Sequence, residues 1–199
     1  MLDNSQVESL VFHYGLVPDK VRLADINNLY ELRTTIIRPF FTNMFLHGGW
    51  WHLISNMWIL FIFGDNVEDR MGKVRYFMFY IICGFIASFT HFILHRNSPI
   101  PALGASGAIS GVMAAYMLMF PKSTIVSFVP IFIIPLFLPI PAIIYIGLWF
   151  IGQLLSGTTS LMISDMATGI AFWAHIGGFI GGLLIYKSFD TEKGRAFYR

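Results

Sequence analysis

GASGAISGVMAAYMLMF, residues 104–120, opens with three glycines and two serines in eight residues and runs on without a charge. Small residues in an apolar helix let two backbones approach closely. Yet Ser106 also stands in a G-x-S-G arrangement, with Gly104 and Gly107 leaving its hydroxyl open to a substrate. The stretch reads either as a packing face or as a reactive centre. The rest of the chain has to decide between them.

The surroundings are those of a membrane protein. Of 199 residues, 56% are hydrophobic and 12% charged, with a mean hydropathy of +0.66. An ordinary soluble domain carries about 25% charged residues, so the deficit and the long apolar runs predict a polytopic bundle in a lipid bilayer. A net charge of +2 without a basic cluster argues against a nucleic-acid partner. Cys83 is the only cysteine and lies in an apolar run, which excludes an intramolecular disulfide and a cysteine metal site. No motif calls for a cofactor.

Five spans are expected in an all-α fold, over residues 53–64, 76–95, 102–120, 142–155 and 167–186. Between the third and fourth, Pro130, Pro135, Pro139 and Pro141 break an apolar run. Proline removes a helix donor and clashes with the preceding turn, so this run is an apolar lead-in to the fourth helix. Residues 1–46 mix short apolar pieces with charges and contain no stretch long enough to span. They read as an interfacial, partly helical segment outside the membrane, residues 47–190 as the transmembrane catalytic domain, and 191–199 as a tail. Lys and Arg cluster after the first span (Arg70, Lys73, Arg75), after the third (Lys122) and in the tail (Lys187, Lys193, Arg195, Arg199). The positive-inside rule puts these in the cytoplasm.

With that orientation, the few polar side chains of three spans meet at one depth in the outer half. His52 and Asn56 lie one helical turn apart at the head of the first span, Ser106 heads the third, and His175 lies about eight residues into the fifth. Polar groups in a bilayer are costly and tend to mark function. Together these residues supply the parts of acyl transfer: a serine nucleophile, a histidine base and free N–H groups at a helix start for an oxyanion. His52 and Asn56 add two side-chain donors. Asp165 sits ten residues from His175, so no acid is placed to orient the imidazole and a dyad is expected. Gly107 and Gly111, with Gly178 and Gly182 in a G-x-x-x-G pair, read as helix packing, and Ser110 goes with them.

These residues resemble the rhomboid intramembrane serine proteases. HGGWWHLISN (residues 47–56) resembles the family's H-x-x-x-N element, GASG (104–107) its G-x-S-G serine motif, and AHIGGFIGG (174–182) its A-H-x-x-G-x-x-x-G pattern. The resemblance implies that Ser106 is the nucleophile, that His175 is general base and then acid, and that His52, Asn56 and the Ser106 backbone N–H form the oxyanion hole. It also implies substrates that are transmembrane proteins, cut within or beside the span, and a bacterial inner-membrane enzyme whose site opens to the extracytoplasmic side. GDNVEDRMG (64–72) is similar to the family's cytoplasmic turn, which implies capping and charge pairing. Family members have at least six spans, so this chain is expected to lack the first, either by truncation or in a shortened protein. It also departs from the family at IIRPFF, where a Trp-Arg pair is common, and at Ser110, where some members place a tyrosine against the histidine.

Two other functions compete. His91 and His95, at i and i+4 on one helix face, suggest a haem- or metal-binding membrane protein, although no carboxylate or cysteine accompanies them. An inactive rhomboid-like protein that binds transmembrane helices without cutting them is the second. The oligomeric state is not legible.

Overall fold

The computed structural model describes residues 3–131, 134–162 and 171–191. Residues 163–170 (hence Asp165 and the start of the expected last span) and the tail from 192 lie outside this set. The described chain is mostly helical. Its first part holds α1 (Asn4–Tyr14), α2 (Pro18–Leu23), the single turn α3 (Leu29–Glu31), a π-helical stretch Leu32–Ile37, and α4 (Pro39–Thr42) with a 3-10 turn after it. The body comprises α5 (Trp50–Met71), α6 (Lys73–Leu94), α7 (Ser106–Met119), α8 (Ala142–Met162) and α9 (Phe172–Phe189).

The all-α expectation needs one correction. The proline-broken run forms an antiparallel hairpin, β1 (Thr124–Ile131) with β2 (Ile134–Pro141), in which Phe128 faces Phe137 and Pro130 faces Pro135. The prolines that forbid a helix are tolerated here because a two-stranded ribbon consists only of edges, where a missing ladder donor costs little. The Ala142 N–H then donates to the Ser123 carbonyl (2.8 Å), closing the hairpin where α8 begins.

Among the described residues, two helices are long and apolar enough to cross a membrane by length and composition, Lys73–Leu94 and Ala142–Ser160. α5 has the length, but its last two turns carry Asp65, Glu68, Asp69 and Arg70. α7, with 14 residues, is shorter than a typical span. The loop expected between the first two spans is absent: α5 runs to Met71 and α6 starts at Lys73, broken only at Gly72 with φ +81°. That left-handed conformation is one glycine adopts at little cost.

α7 lies at the centre, and every residue from Gly107 to Tyr116 is buried. A helix apolar all round belongs inside a bundle. Around it, Phe63, Val67, Phe79, Ile146 and Phe179 fill one core. Outward-facing side chains are also large and apolar (Trp51, Trp58 and Phe61 on α5; Val74 and Phe77 on α6; Leu148 and Leu155 on α8). So many large apolar side chains facing outward suit lipid better than water.

α7 and α9 meet backbone to backbone. A Cβ built at Gly178 would fall 1.9 Å from the Gly107 carbonyl oxygen, and one at Gly182 would fall 2.4 Å from that of Gly111. α6 closes on the same seam: a Cβ at Gly107 would reach Ala87 Cβ at 2.5 Å, and one at Gly111 the Cys83 sulfur at 2.5 Å. The far end is tied by Arg70, which donates to both Asp190 carboxylate oxygens (3.0 Å each) and to the Met119 carbonyl (2.9 Å).

The first part is fastened to α6. Leu16, Val21 and Phe40 form a small core against Phe92 and Ala102, and the Phe40 ring meets Phe85, Phe89 and Phe92. Leu16 and Ala102 exchange both backbone hydrogen bonds (3.1 and 2.8 Å), and the Gly104 N–H donates to the Asn43 carbonyl (3.0 Å). The segment leading into Ser106 is therefore held by residues some 60 to 85 positions earlier in the chain.

Gly178→Val is expected to lower stability by at least ~2 kcal/mol, since its obstacle is backbone that no side-chain rotation relieves. Gly147→Ala, where a Cβ meets nothing within 4 Å, should change it by less than ~1 kcal/mol, toward stabilisation. Thermal unfolding of the detergent-solubilised protein compares the two.

Candidate active site

Ser106 is the first residue of α7. The two residues before it set its position: Gly104 takes φ +120° and Ala105 is the N-cap. By helix geometry the first N–H groups of α7 have no partner within the helix, and the positive end of its dipole lies at the serine. Ser110, one turn on and buried, donates to the Ser106 carbonyl oxygen (2.6 Å).

His175 reaches Ser106 from α9. Its Nε2 lies 2.7 Å from Ser106 Oγ, and its Nδ1 lies 2.7 Å from Gln153 Oε1 on α8. An amide oxygen only accepts, so Nδ1 carries the proton and the Nε2 lone pair faces the serine hydroxyl. The tautomer a general base needs follows from Gln153 alone. The Trp149 ring packs beside the imidazole, with centroids 6.0 Å apart, so α8 supplies both the hydrogen bond and the wall.

His52 and Asn56 come from α5. The Gly48 N–H donates to His52 Nδ1 (3.3 Å), which leaves the His52 proton on Nε2. That nitrogen lies against Gly104: a Cβ there would be 2.7 Å from His52 Nε2 and 3.6 Å from Ser106 Oγ. Any residue larger than glycine at position 104 would displace the histidine. Asn56 is buried, and its Nδ2 has no hydrogen-bond partner among the described residues. A buried orphan donor is costly and is the kind of group an oxyanion site retains. The His47 ring meets His52 edge-on, centroids 5.1 Å apart. Burial, with His52 beside it, pushes the His47 pKa below the ordinary histidine value.

A cavity of about 20 Å³ adjoins the serine, lined by Ser106, Gly104, Asn43, Ser88 and His91, which is room for one water. Asn43 Nδ2 donates to Ser88 Oγ (3.0 Å) inside it. His91 and His95 stack with centroids 4.6 Å apart, and the Nδ1 atom of each is buried without a partner among the described residues. Among the described residues, no group of three or more His, Cys, Asp or Glu side chains is arranged to hold a metal ion.

Sequence reasoning missed Gln153, Asn43 and Ser88. Gln153 had a signal, as the only amide in the apolar run from Ala142 to Leu155, and polar residues in such runs tend to be functional. Asn43 and Ser88 had none beyond polarity, because their meeting depends on how the first segment folds over α6.

A helical bundle with apolar outer surfaces, enclosing a serine hydrogen-bonded to a histidine, defines a class of membrane-integral proteins. The chain belongs to the rhomboid family, whose domain model matches residues 34–189. It is 32% identical over 158 residues (76% of this chain, 42% of the relative) to Rhomboid protein 1, mitochondrial, of Saccharomyces cerevisiae. It is 38% identical over 76 residues (38% and 24%) to RHOMBOID-like protein 6, mitochondrial, of Arabidopsis thaliana. It is 25% identical over 188 residues (85% and 46%) to the human Presenilin-associated rhomboid-like protein, mitochondrial. The chain spans less than half the length of these curated relatives. Their names are organellar, so they lend no support to a bacterial inner membrane; what they and the domain carry is an integral membrane protein.

Gln153→Leu, which keeps bulk and removes the acceptor, should slow labelling of Ser106 by a fluorophosphonate probe by roughly tenfold or more. General-base help as a whole supplies about 10²–10⁴. Gln153→Glu, which keeps an acceptor oxygen, should retain more of the labelling rate than Gln153→Leu.

Proposed function

We propose that this protein is an intramembrane serine endopeptidase that hydrolyses peptide bonds in or beside the transmembrane segments of other membrane proteins. The observation that carries this is the 2.7 Å hydrogen bond between Ser106 Oγ and His175 Nε2. Ser106 Oγ attacks the scissile carbonyl carbon while its proton passes to His175 Nε2. The carbonyl oxygen becomes an oxyanion facing the Ser106 N–H, His52 Nε2–H and Asn56 Nδ2. The imidazolium, its Nδ1–H held by Gln153, protonates the leaving nitrogen and the C–N bond breaks. A water then attacks the acyl-enzyme, giving its proton to His175, and the serine is released as the alcohol. The pocket at Asn43, Ser88 and His91 is suited to hold such a water beside the serine.

A peptide bond inside a helix is hydrogen-bonded and shielded on all sides, so the substrate segment has to unwind before attack. Substrates with helix-breaking or small residues near the cut follow from this. In our reading α5 to α9 are five membrane-spanning helices of one catalytic body over residues 47–190, with residues 1–46 lying in the interface. The dyad opens to the side opposite Arg70, and the tail 191–199 is cytoplasmic. Gly107, Gly111, Gly178 and Gly182 act in helix packing.

Cleavage of a reporter transmembrane substrate in liposomes tests the proposal. Ser106→Ala and His175→Ala should abolish it, while His52→Ala and Asn56→Ala should each lower kcat about 10²- to 10³-fold, the size of one lost oxyanion donor, with KM changed little. Equal cutting by wild type and Ser106→Ala would sink the assignment.

A further inference from the structure

The first part of the chain contains a cavity the proteolytic chemistry does not use. It lies between α1, α2 and the π-helical stretch and has a volume of about 150 Å³, the space of roughly five waters at about 30 Å³ each. Lys20, Arg38, His13, Tyr30, Thr34 and Thr35 contribute its polar lining, and no acidic residue lines it.

Its two permanent cations lack counterions. Lys20 Nζ donates to the Phe12 carbonyl (3.3 Å) and lies over the Phe12 ring. Arg38 donates to the His13 carbonyl (2.8 Å) and lies over the Tyr14 ring, 4.5 Å to the centroid. Among the described residues neither forms a salt bridge. Arg38 Nε is buried with no hydrogen-bond partner among the described residues, an unspent donor of the kind that costs stability unless something accepts from it.

The acids nearby are engaged elsewhere. Asp19 pairs with Arg22, Asp25 accepts from the Asn27 amide groups, and Glu31 accepts from the Asp25 N–H. Two unneutralised cations, one a guanidinium, beside the hydroxyls of Tyr30 and Thr35 make a donor-rich concavity for a tetrahedral oxyanion, because planar guanidinium forks match phosphate oxygens; the Thr34 hydroxyl already donates to the Tyr30 carbonyl (2.7 Å).

The rim says where the anion comes from. Phe12, 42% exposed, and Tyr30, 73% exposed, line the cavity itself, and Leu23, Ile26, Leu29 and Ile37 are further exposed apolar side chains of the same segment. Apolar side chains next to a cationic hollow match a phospholipid, with chains outside and phosphate within.

We propose that this cavity binds the phosphate of an anionic phospholipid headgroup, with Lys20 and Arg38 as its charge partners, and so docks the first segment at the membrane interface. The site is separate from the serine, so its test reads binding and not proteolysis.

Native mass spectrometry of the whole 199-residue chain in detergent, titrated with dioctanoyl phosphatidic acid, measures it. Lys20→Gln should weaken the lipid at least fivefold, and Arg38→Gln at least tenfold. Since Arg38 also holds the His13 carbonyl, a thermal melt of each variant accompanies the titration, and Lys20→Gln, with one long carbonyl contact to lose, carries the result if Arg38→Gln fails to fold. Inorganic phosphate is the second ligand. If it binds with the same dependence on Lys20, the phosphate site stands and the apolar rim adds nothing. If it neither binds nor competes, the lipid is the occupant. Lipid binding unchanged in Lys20→Gln, or no binding of either ligand, overturns the proposal.

Discussion

The contact between α7 and α9 at Gly107 and Gly178 is the constraint on which the rest depends. It brings two helix backbones so close that a methyl group at Gly178 would enter the van der Waals sphere of a carbonyl oxygen. Gly107 follows Ser106 directly, and Gly178 lies three residues after His175. The glycine contact is thus within one helical turn of both Ser106 and His175, and small errors in helix spacing appear almost undiminished in the serine–histidine distance. In lipid the hydrophobic effect gives little incentive for helices to associate, so close van der Waals contact and polar links must do it. Packing and chemistry are one requirement here.

Rigid spacing at one end needs support at the other. Arg70 joins the end of α5 to the end of α9 through Asp190 and reaches the end of α7 through the Met119 carbonyl. Their side chains are only 12% and 6% exposed, so the pair is shielded from the screening that makes surface ion pairs nearly worthless. Its bidentate geometry and the extra carbonyl acceptor satisfy most of the guanidinium, the condition under which a buried pair holds without a large desolvation penalty. Three helix ends are fixed at one point, and the glycine seam then defines how α7 and α9 run from there to the site.

What was legible in the sequence were features whose meaning is local. The span around Ser106, the His52–Asn56 spacing and the G-x-x-x-G pair are read along one helix, and the structure brings their bearers together. The hairpin was not legible because four prolines declare only what a segment cannot be. Whether the remainder is loop or ribbon depends on pairing between residues up to 17 apart, as Thr124 with Pro141. The merging of the expected 65–75 loop into two helices went unseen because a charged stretch reads as a membrane boundary, whereas a helix does not end where its lipid does. Gln153 is hard to read because the familiar partner behind a histidine is an acid, and the sequence places none there.

That substitution of an amide for an acid has a physical logic. A carboxylate beside His175 would hold the ring and stabilise the imidazolium, but it would put a permanent charge in the middle of an apolar helix, far from water. Desolvating one costs several kcal/mol even after relaxation, and α8 has no Lys or Arg to offset it. The Gln153 oxygen fixes the same tautomer with a dipole instead of a charge. Under the proposed mechanism, what it gives up is attraction to the imidazolium formed in the transition state, so more of the stabilisation of that state would fall on the oxyanion side. There Asn56 Nδ2 is buried without a partner among the described residues and His52 presents Nε2–H beside Gly104. A hydrolytic centre with a neutral group behind its base would thus have reason to hold two side-chain donors, in addition to the N–H groups of the helix start.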